Sequence, residues 1–219
     1  MKAKQLLLTA VFCCICLCGF AQTKEIYTNP AFSTIAKDHK LVAILPFDAK
    51  IGLRPKEMKN MTPERMQDLE SKEGLAVQSA LLTYFLKEQG KDDFTVNFQD
   101  VNTTNALLLK NNVTAATIKS FTPAELAKIL GVDGVIMGTF STDKPMSDGA
   151  SLALGLAVGF YGSTNSGKTS INIYDGASGD LLWKYDKSLS RSLGSDTGTI
   201  ITTIMRKASK KFPYSKLKA

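Results

Sequence analysis

Cysteine, histidine and tryptophan are scarce in this sequence of 219 residues. All four cysteines lie between Cys13 and Cys18, and His39 is the only histidine. The chain after residue 18 therefore has no thiol for a disulfide, a thiolate metal site or a cysteine nucleophile. A metal site needs several converging ligands, and the G-x-S-x-G turn of serine hydrolases is missing. We therefore predict no catalytic residue, no metal ligand and no bound cofactor, and a protein that is not an enzyme.

His39 and one pair of aspartates could still carry acid–base chemistry. His39 could act as a general base, but a lone histidine in a stretch of charged residues is usually exposed to solvent. Asp92 and Asp93 could form a carboxylate pair, but they follow a glycine and are more typical of a turn. We expect an exposed histidine and a turn at these positions, without a catalytic role.

The first 21 residues have the layout of a secretory signal peptide. A short cationic start is followed by an apolar stretch at 6–18, and the small residues Gly19 and Ala21 favour cleavage after Ala21. The apolar stretch is shorter than the roughly 20 residues of a membrane-spanning helix. No cysteine follows a residue that suits lipidation, so cleavage is favoured over a lipid anchor. We predict that residues 1–21 are a signal peptide and that the protein is exported, or secreted.

Positive charge exceeds negative charge and is concentrated near the end of the chain. There are 27 lysines and arginines against 20 acidic residues, a formal net charge of +7. The last residues that we expect to be helical carry Arg206, Lys207, Lys210 and Lys211, with no acid among them. A solvated helix face is the simpler interpretation, and a contact site for an anionic partner is the alternative. Because basic and aromatic residues are not interleaved, we predict no nucleic acid partner.

Alternating and continuous apolar segments predict an α/β fold. Five segments are typical of strands, at 41–47, 94–98, 132–140, 169–174 and 181–185. Helices are indicated at 64–89, 105–110, 123–130 and after residue 196. Thr62 and Thr122 each precede a proline, as N-cap residues often do. Thr122 and Glu125 form a capping box, and Gly131 ends that helix.

This order predicts one α/β sandwich domain at 41–212. Its mixed β-sheet has about five strands with helices packed on it, and a C-terminal hairpin precedes a final helix. We expect an extended N-terminal arm at 22–40, a polar loop at 48–61 and a basic tail at 213–219.

The segment Gly-Ser-Thr-Asn-Ser-Gly-Lys-Thr at 162–169 matches the phosphate-binding pattern G-x-x-x-x-G-K-[ST] at every fixed position. In a working P-loop a helix follows the lysine, and the N-terminus of that helix faces the phosphates. Here Lys168 is followed by Thr-Ser-Ile-Asn-Ile-Tyr, whose alternation and β-branched residues are typical of a strand. We therefore predict a turn and a strand, and a nucleotide-binding enzyme is the disfavoured alternative.

Large and small apolar residues alternate between 151 and 160, within an apolar insertion at 145–168. As a strand this segment would present one ridge of large side chains, and its length matches the roughly 9–11 residues of a membrane-crossing strand. Packing in the protein or against another subunit is favoured over membrane insertion. The predicted interaction surface consists of this ridge and the basic residues near the end of the chain: Leu152, Leu154, Leu156, Val158, Phe160, Arg206, Lys207, Lys210 and Lys211.

Three segments carry a resemblance to a known family: Leu-Val-Ala-Ile-Leu-Pro-Phe at 41–47, Leu-Gly-Val-Asp-Gly-Val-Ile-Met-Gly at 130–138, and Ile-Asn-Ile-Tyr-Asp-Gly-Ala-Ser-Gly-Asp-Leu-Leu-Trp at 171–183. They resemble the CsgG-like superfamily of envelope proteins, which includes the curli secretion channel subunit and periplasmic activators of peptidoglycan synthases. The resemblance implies an α/β domain that binds other proteins, often as an oligomer, without catalysis. It also places 141–168 where the channel subunit has one of its two membrane-crossing hairpins, whereas 187–195 is too short for the second.

The resulting hypothesis is an exported, non-enzymatic scaffold or assembly factor that acts through protein–protein contacts. The resemblance implies a place in the periplasm or at the outer-membrane periphery of a Gram-negative-type bacterium, with other envelope proteins as partners. Assembly into a homo-oligomer and contact with a membrane surface stay open. The alternative hypothesis is a membrane-associated oligomeric pore or secretion-channel subunit.

Overall fold

The computed structural model describes residues 24–53, 58–59, 61–91, 94–142, 166–190 and 197–216. Their strands form one mixed sheet of seven strands, in the order β1-β7-β6-β5-β2-β4, with β3 also paired to β5. The strands are β1 (Lys24–Thr28), β2 (Leu41–Ile44), β3 (Asp48–Ile51), β4 (Asn97–Phe98), β5 (Gly134–Thr142), β6 (Ser166–Asp175) and β7 (Leu181–Ser190). Strands β5, β6, β7 and β1 pair antiparallel, whereas β2 pairs parallel with both β4 and β5 and β3 pairs parallel with β5.

Five α-helices accompany the sheet in the described part of the chain. They are α1 (Phe32–Ile35), α2 (Pro63–Gln89), α3 (Val101–Lys110), α4 (Pro123–Leu130) and α5 (Thr197–Ser209). The predicted caps are confirmed: the side chain of Thr62 accepts a hydrogen bond from the backbone N–H of Arg65, and α4 has both bonds of its capping box. Gly131 ends α4 with φ 66°, in the left-handed region that glycine adopts without a steric penalty.

The sheet separates two apolar clusters. The larger cluster joins α2 and α5 to the sheet, and Trp183 and Tyr185 of β7 lie in it. The smaller cluster lies on the opposite face, where α3 and α4 cover β2 and the first half of β5 through Leu108, Leu126 and Val135. Among the described residues, helices therefore lie on both faces near β2, but on only one face near β7.

The α/β fold class is confirmed, and the sheet has seven strands instead of about five. The two additional strands are β1 and β3. The predicted arm at 22–40 contains β1, α1 and a 3-10 turn at Ala36–Asp38, and it is anchored by the buried Phe32 and Ala36. The predicted polar loop at 48–61 begins with β3, which alternates in burial, because Ala49 is buried whereas Lys50 is exposed. Pairing with β7 and β5 holds these two short strands in place.

The ends of several elements differ from the sequence-based prediction. The expected strand at 94–98 is reduced to β4 at Asn97–Phe98. Helix α3 begins four residues earlier than expected, because the side chain of Asp100 accepts hydrogen bonds from the N–H groups of Asn102 and Thr103. The predicted basic tail at 213–219 begins with a 3-10 helix at Pro213–Lys216, and Tyr214 is fully buried. Its first residues therefore belong to the packed domain.

Candidate functional site

Strand β1 lies at the edge of the sheet and has one exposed side. It pairs antiparallel with β7, and it stands at the end of the strand order, so no strand of the described chain pairs with its other side. All five of its residues are exposed. Ile26 is 41% exposed and Tyr27 46% exposed, so two large apolar side chains lie at neighbouring positions of this edge. An exposed edge with apolar side chains can pair with a further strand.

One hydrogen bond between the end of β1 and β7 shows which backbone groups of β1 point outward. The N–H of Asn29 donates to the carbonyl of Leu182 over 2.8 Å. In an antiparallel pair, successive residues alternate between facing their partner strand and facing away from it. The N–H and C=O groups of Glu25 and Tyr27 therefore face β7, and those of Lys24, Ile26 and Thr28 point to the outer side of the sheet.

The side chains of β1 divide between the two faces of the sheet. Ile26 lies opposite Tyr185, which is buried in the larger apolar cluster, so Ile26 lies on the face that α5 covers. Tyr27 lies opposite Lys184 and faces the other side. The edge thus offers an apolar side chain on one face and an aromatic one on the other.

The second face of the sheet is polar where described helices do not cover it. An open depression of about 390 Å³ lies there, lined by residues of β1, β5, β6 and β7 that include Glu25, Thr139, Ser141, Lys168, Ser170, Asp186 and Ser188. Lys184 donates to Asp186 across 2.9 Å, and the hydrogen bond to this carboxylate raises the pKa of Lys184. This polar face continues to Tyr27 at the exposed edge, so both could contact one partner.

The described part of the P-loop-like segment is a strand, which begins at Ser166, three residues earlier than predicted, so Gly167 lies in the strand and not in the predicted turn. Residues 166–169 belong to β6, and residues 162–165 lie outside the described residues. Thr169 is buried and donates its hydroxyl hydrogen to the carbonyl of Thr139 over 2.8 Å. Lys168 is exposed, and it lies opposite Ser141 of β5 and Ser188 of β7. The backbone at Lys168 is therefore part of a sheet ladder.

The four basic residues of the predicted interaction surface lie at the end of α5 and just beyond it. Arg206, Lys210 and Lys211 are exposed, and Lys207 is half-buried. Burial lowers the pKa of Lys187 on the facing strand, and the nearby charges of Lys207 and Lys24 lower it further. This end of the protein is therefore positively charged.

Three of the sequence-based predictions fall on residues outside those that the structure describes. They are the signal peptide at 1–21, the pair Asp92 and Asp93, and the apolar part of the predicted interaction surface, which consists of Leu152, Leu154, Leu156, Val158 and Phe160.

The prediction of an exposed His39 is wrong. Its side chain is 6% exposed, with Nε2 2.9 Å from Oδ1 of Asp175 and Nδ1 2.6 Å from the hydroxyl of Tyr214. Burial raises the pKa of Tyr214 well above its ordinary value, so the hydroxyl keeps its proton and can donate it to Nδ1. Both ring nitrogens are then engaged, Nε2 as a donor to Asp175.

Asp175 completes this buried network. Its second oxygen accepts a hydrogen bond from the backbone N–H of Ser178 over 2.6 Å. Burial acts to raise the pKa of Asp175, but the hydrogen bonds from Ser178 and from His39 outweigh it and hold this pKa below its ordinary value. The network joins the segment before β2, the β6–β7 turn and the 3-10 helix at Pro213–Lys216. An open cavity of about 440 Å³ is lined by His39, Asp175 and residues around Gly131.

Glu73 is a second buried ionisable residue that the sequence did not single out. It is 2% exposed, its Oε1 has no hydrogen-bond partner, and burial raises its pKa to about 7. The charged form of Glu73 therefore opposes folding.

No group of three His, Cys, Asp or Glu side chains in the described ranges could hold a metal ion. Among the helices that the structure describes, none has the length and apolar character needed to cross a membrane.

Comparison with known proteins gives only distant likenesses. No protein-family model matches the sequence, and no curated protein matches it. Among solved structures, the chain is similar to a PelC dodecamer from Paraburkholderia phytofirmans, with 11% identity, a TM-score of 0.38 and coverage of 91% of this chain and 99% of that one. It is also similar to lipoprotein GNA1162 from Neisseria meningitidis, with 15% identity, a TM-score of 0.46 and coverage of 78% of this chain and 96% of that one.

A third likeness is to the LpoB C-terminal domain from Salmonella enterica, with 8% identity, a TM-score of 0.34 and coverage of 74% of this chain and 94% of that one. At these identities and TM-scores the likenesses carry no argument about function. The CsgG-like family itself is not shown by them and stays a prediction.

Proposed function

We propose that this protein is an exported, non-enzymatic scaffold or assembly factor of the cell envelope that binds a partner protein at the outer edge of β1. The observation that supports this most is the exposed edge with the outward backbone groups of Lys24, Ile26 and Thr28. Natural proteins usually protect such edges, because they pair readily with other strands. Strand addition is a recurrent way of binding an extended segment, since main-chain hydrogen bonds supply much of the affinity.

The side chains around the edge support a protein partner. Ile26 and Tyr27 lie on opposite faces of β1, so an added strand can place apolar side chains beside both. The polar face around Asp186 and Ser170 lies next to Tyr27 and can provide hydrogen bonds to the same partner. The signal peptide layout and the CsgG-like resemblance of 41–183 support a place in the envelope.

A photo-crosslinking amino acid at Tyr27 tests the proposal in intact cells. The matched control is the same amino acid at Leu109, which is 69% exposed on α3. Helix α3 packs on β2, which is separated from β1 by three other strands of the sheet. We expect protein adducts from position 27 and not from position 109. Equal adduct patterns from the two positions, or none from position 27, would contradict the proposal.

The pore or secretion-channel hypothesis remains the second candidate, and it rests on the apolar insertion at 145–168. Fractionation of cells separates it from the scaffold hypothesis. A pore subunit requires detergent for extraction, whereas a scaffold without a membrane segment is recovered in the soluble periplasmic fraction. Release of the protein without detergent would therefore contradict the pore.

The nucleotide-binding alternative can be tested by Lys168→Ala. We expect the exported protein to show no ATP binding that this substitution removes. Binding that Lys168→Ala abolishes would support the alternative and contradict the non-enzymatic proposal.

A further inference from the structure

We propose that the partner of β1 includes a second copy of this chain, paired antiparallel edge to edge with Ile26 of each copy on the two-fold axis. This inference rests on the proposed function, since it names an occupant for the same edge. It would join two seven-stranded sheets into one continuous sheet. The backbone parity of β1 and the side chains at its five positions both favour this pairing.

The backbone parity permits this pairing. In an antiparallel ladder, residues that point toward the new partner must meet residues that point back. With Ile26 on the axis, Ile26 meets Ile26 of the second copy, and Lys24 meets Thr28 of the second copy. All of these have outward-pointing N–H and C=O groups, so each N–H meets a carbonyl.

The side chains of β1 are complementary in the same register. On the face that α5 covers, the two Ile26 side chains form an apolar pair, and each Lys24 lies opposite a threonine. On the polar face, Glu25 lies opposite Tyr27 of the second copy. No like charges face each other directly, and both exposed apolar side chains of the edge gain a neighbour.

Neighbouring registers are poorer. A two-fold axis at Glu25 places two glutamates directly opposite each other, which is destabilising. An axis at Tyr27 leaves only residues 26–28 of each strand paired, because β1 ends at Thr28. The register centred on Ile26 uses all five residues of the strand in both copies.

This contact is small beside the roughly 1,200–2,000 Å² that stable protein interfaces bury. We therefore expect a reversible association, and disulfide trapping measures it more directly than sedimentation. In such a ladder the Cα atoms of the Ile26 pair, which is hydrogen-bonded, lie about 5.5 Å apart, and those of Glu25 and Tyr27, which form a non-hydrogen-bonded pair, about 4.5 Å apart. Both distances lie within the roughly 4.4–6.8 Å that a disulfide spans. All native cysteines lie at 13–18, within the predicted signal peptide, so the unsubstituted protein that begins at residue 22 has no cysteine and provides the blank.

The test uses the exported protein with single cysteines, oxidised by air with a copper catalyst. We expect Ile26→Cys to form disulfide-linked dimers at least tenfold faster than Leu109→Cys, the exposed control. Glu25→Cys and Tyr27→Cys should each dimerise slowly alone, because their own copies lie diagonally, but a mixture of the two should crosslink readily. Thermal unfolding of each variant confirms that the fold is retained.

The outcomes separate this inference from the proposed function. If Ile26→Cys dimerises no faster than Leu109→Cys while position 27 still crosslinks to another protein in cells, self-pairing is wrong and the scaffold proposal stands. If Glu25→Cys alone dimerises fastest, the register is wrong and the inference is overturned. If neither experiment yields adducts, both proposals fail.

Discussion

The imidazole of His39 contacts the carboxylate of Asp175, with Nε2 2.9 Å from Oδ1 and both side chains buried. The pair and the Tyr214 hydroxyl connect three segments that are far apart in the sequence. We expect His39→Ala to lower the free energy of unfolding by about 2–4 kcal/mol, because it leaves a buried carboxylate and a buried hydroxyl without their partner. Urea unfolding measures this loss. Lys37→Ala, at an exposed position two residues earlier, should change stability by less than about 0.5 kcal/mol.

The lowered pKa of Asp175 predicts a loss of stability in acid. The pKa of its carboxyl in the folded protein lies below the ordinary value of 3.8, so between these two values the unfolded state binds more protons than the folded state. Its contribution to stability is therefore complete above pH 3.8 and is lost as the pH falls through the folded-state pKa. Unfolding followed between pH 5 and pH 2 should show this loss in the wild type, and Asp175→Asn should show a smaller dependence. An identical pH dependence in both proteins would refute this role.

The raised pKa of Glu73 predicts that stability depends on pH in the opposite direction, and at a higher pH than for Asp175. Burial raises its pKa from 4.5 to about 7, so between these values the folded state binds more protons than the unfolded state. Stability should therefore fall as the pH rises from 4.5 to 7, by up to roughly 3 kcal/mol at 1.36 kcal/mol per pKa unit. Urea unfolding at pH 5 and pH 8 measures the difference. Glu73→Gln should remove most of it, and an unchanged difference in this variant would show that other groups cause it.

Gly74 allows α2 to pass close to the chain after β2. Its carbonyl accepts a hydrogen bond from the N–H of Phe47 over 3.2 Å, and an added Cβ would overlap the carbonyl oxygen of Phe47. We expect Gly74→Ala to destabilise the protein by about 3 kcal/mol, because backbone on both sides must move. Gly90→Ala is the matched control, since its Cβ would lie 3.8 Å from the nearest atom. Equal melting temperatures for the two variants would contradict the close approach.

Local signals in the sequence predicted the elements whose ends are determined by neighbouring residues. The capping box of Thr122 and Glu125 and the glycine at 131 defined α4 correctly, because all three act within one short segment. The alternation after Lys168 correctly predicted β6 instead of a P-loop helix, since period-two polarity requires no knowledge of distant residues. The hairpin of β6 and β7 followed for the same reason.

Features that depend on distant residues were not predictable in this way. His39 is separated from Asp175 by 136 positions and from Tyr214 by 175 positions, and no local pattern connects them. All five residues of strand β1 are exposed, so it lacks the apolar alternation by which a strand is recognised in a sequence. It is a strand because it pairs with β7, which lies far away in the sequence. The exposed edge, which is the main feature of the candidate site, could therefore not be found before the strand order was known.

Proline substitution at two neighbouring positions of β1 tests the central claim most directly. Ile26→Pro removes an N–H that points outward and leaves the ladder with β7 intact, whereas Tyr27→Pro removes an N–H that faces β7 and should cost about 1–3 kcal/mol of stability. The readout is photo-crosslinking from position 24 in intact cells, with thermal unfolding as the check on the fold. We predict that Ile26→Pro retains the melting temperature and reduces adducts from position 24 at least tenfold. Undiminished adducts in a folded Ile26→Pro protein would contradict binding at the edge of β1.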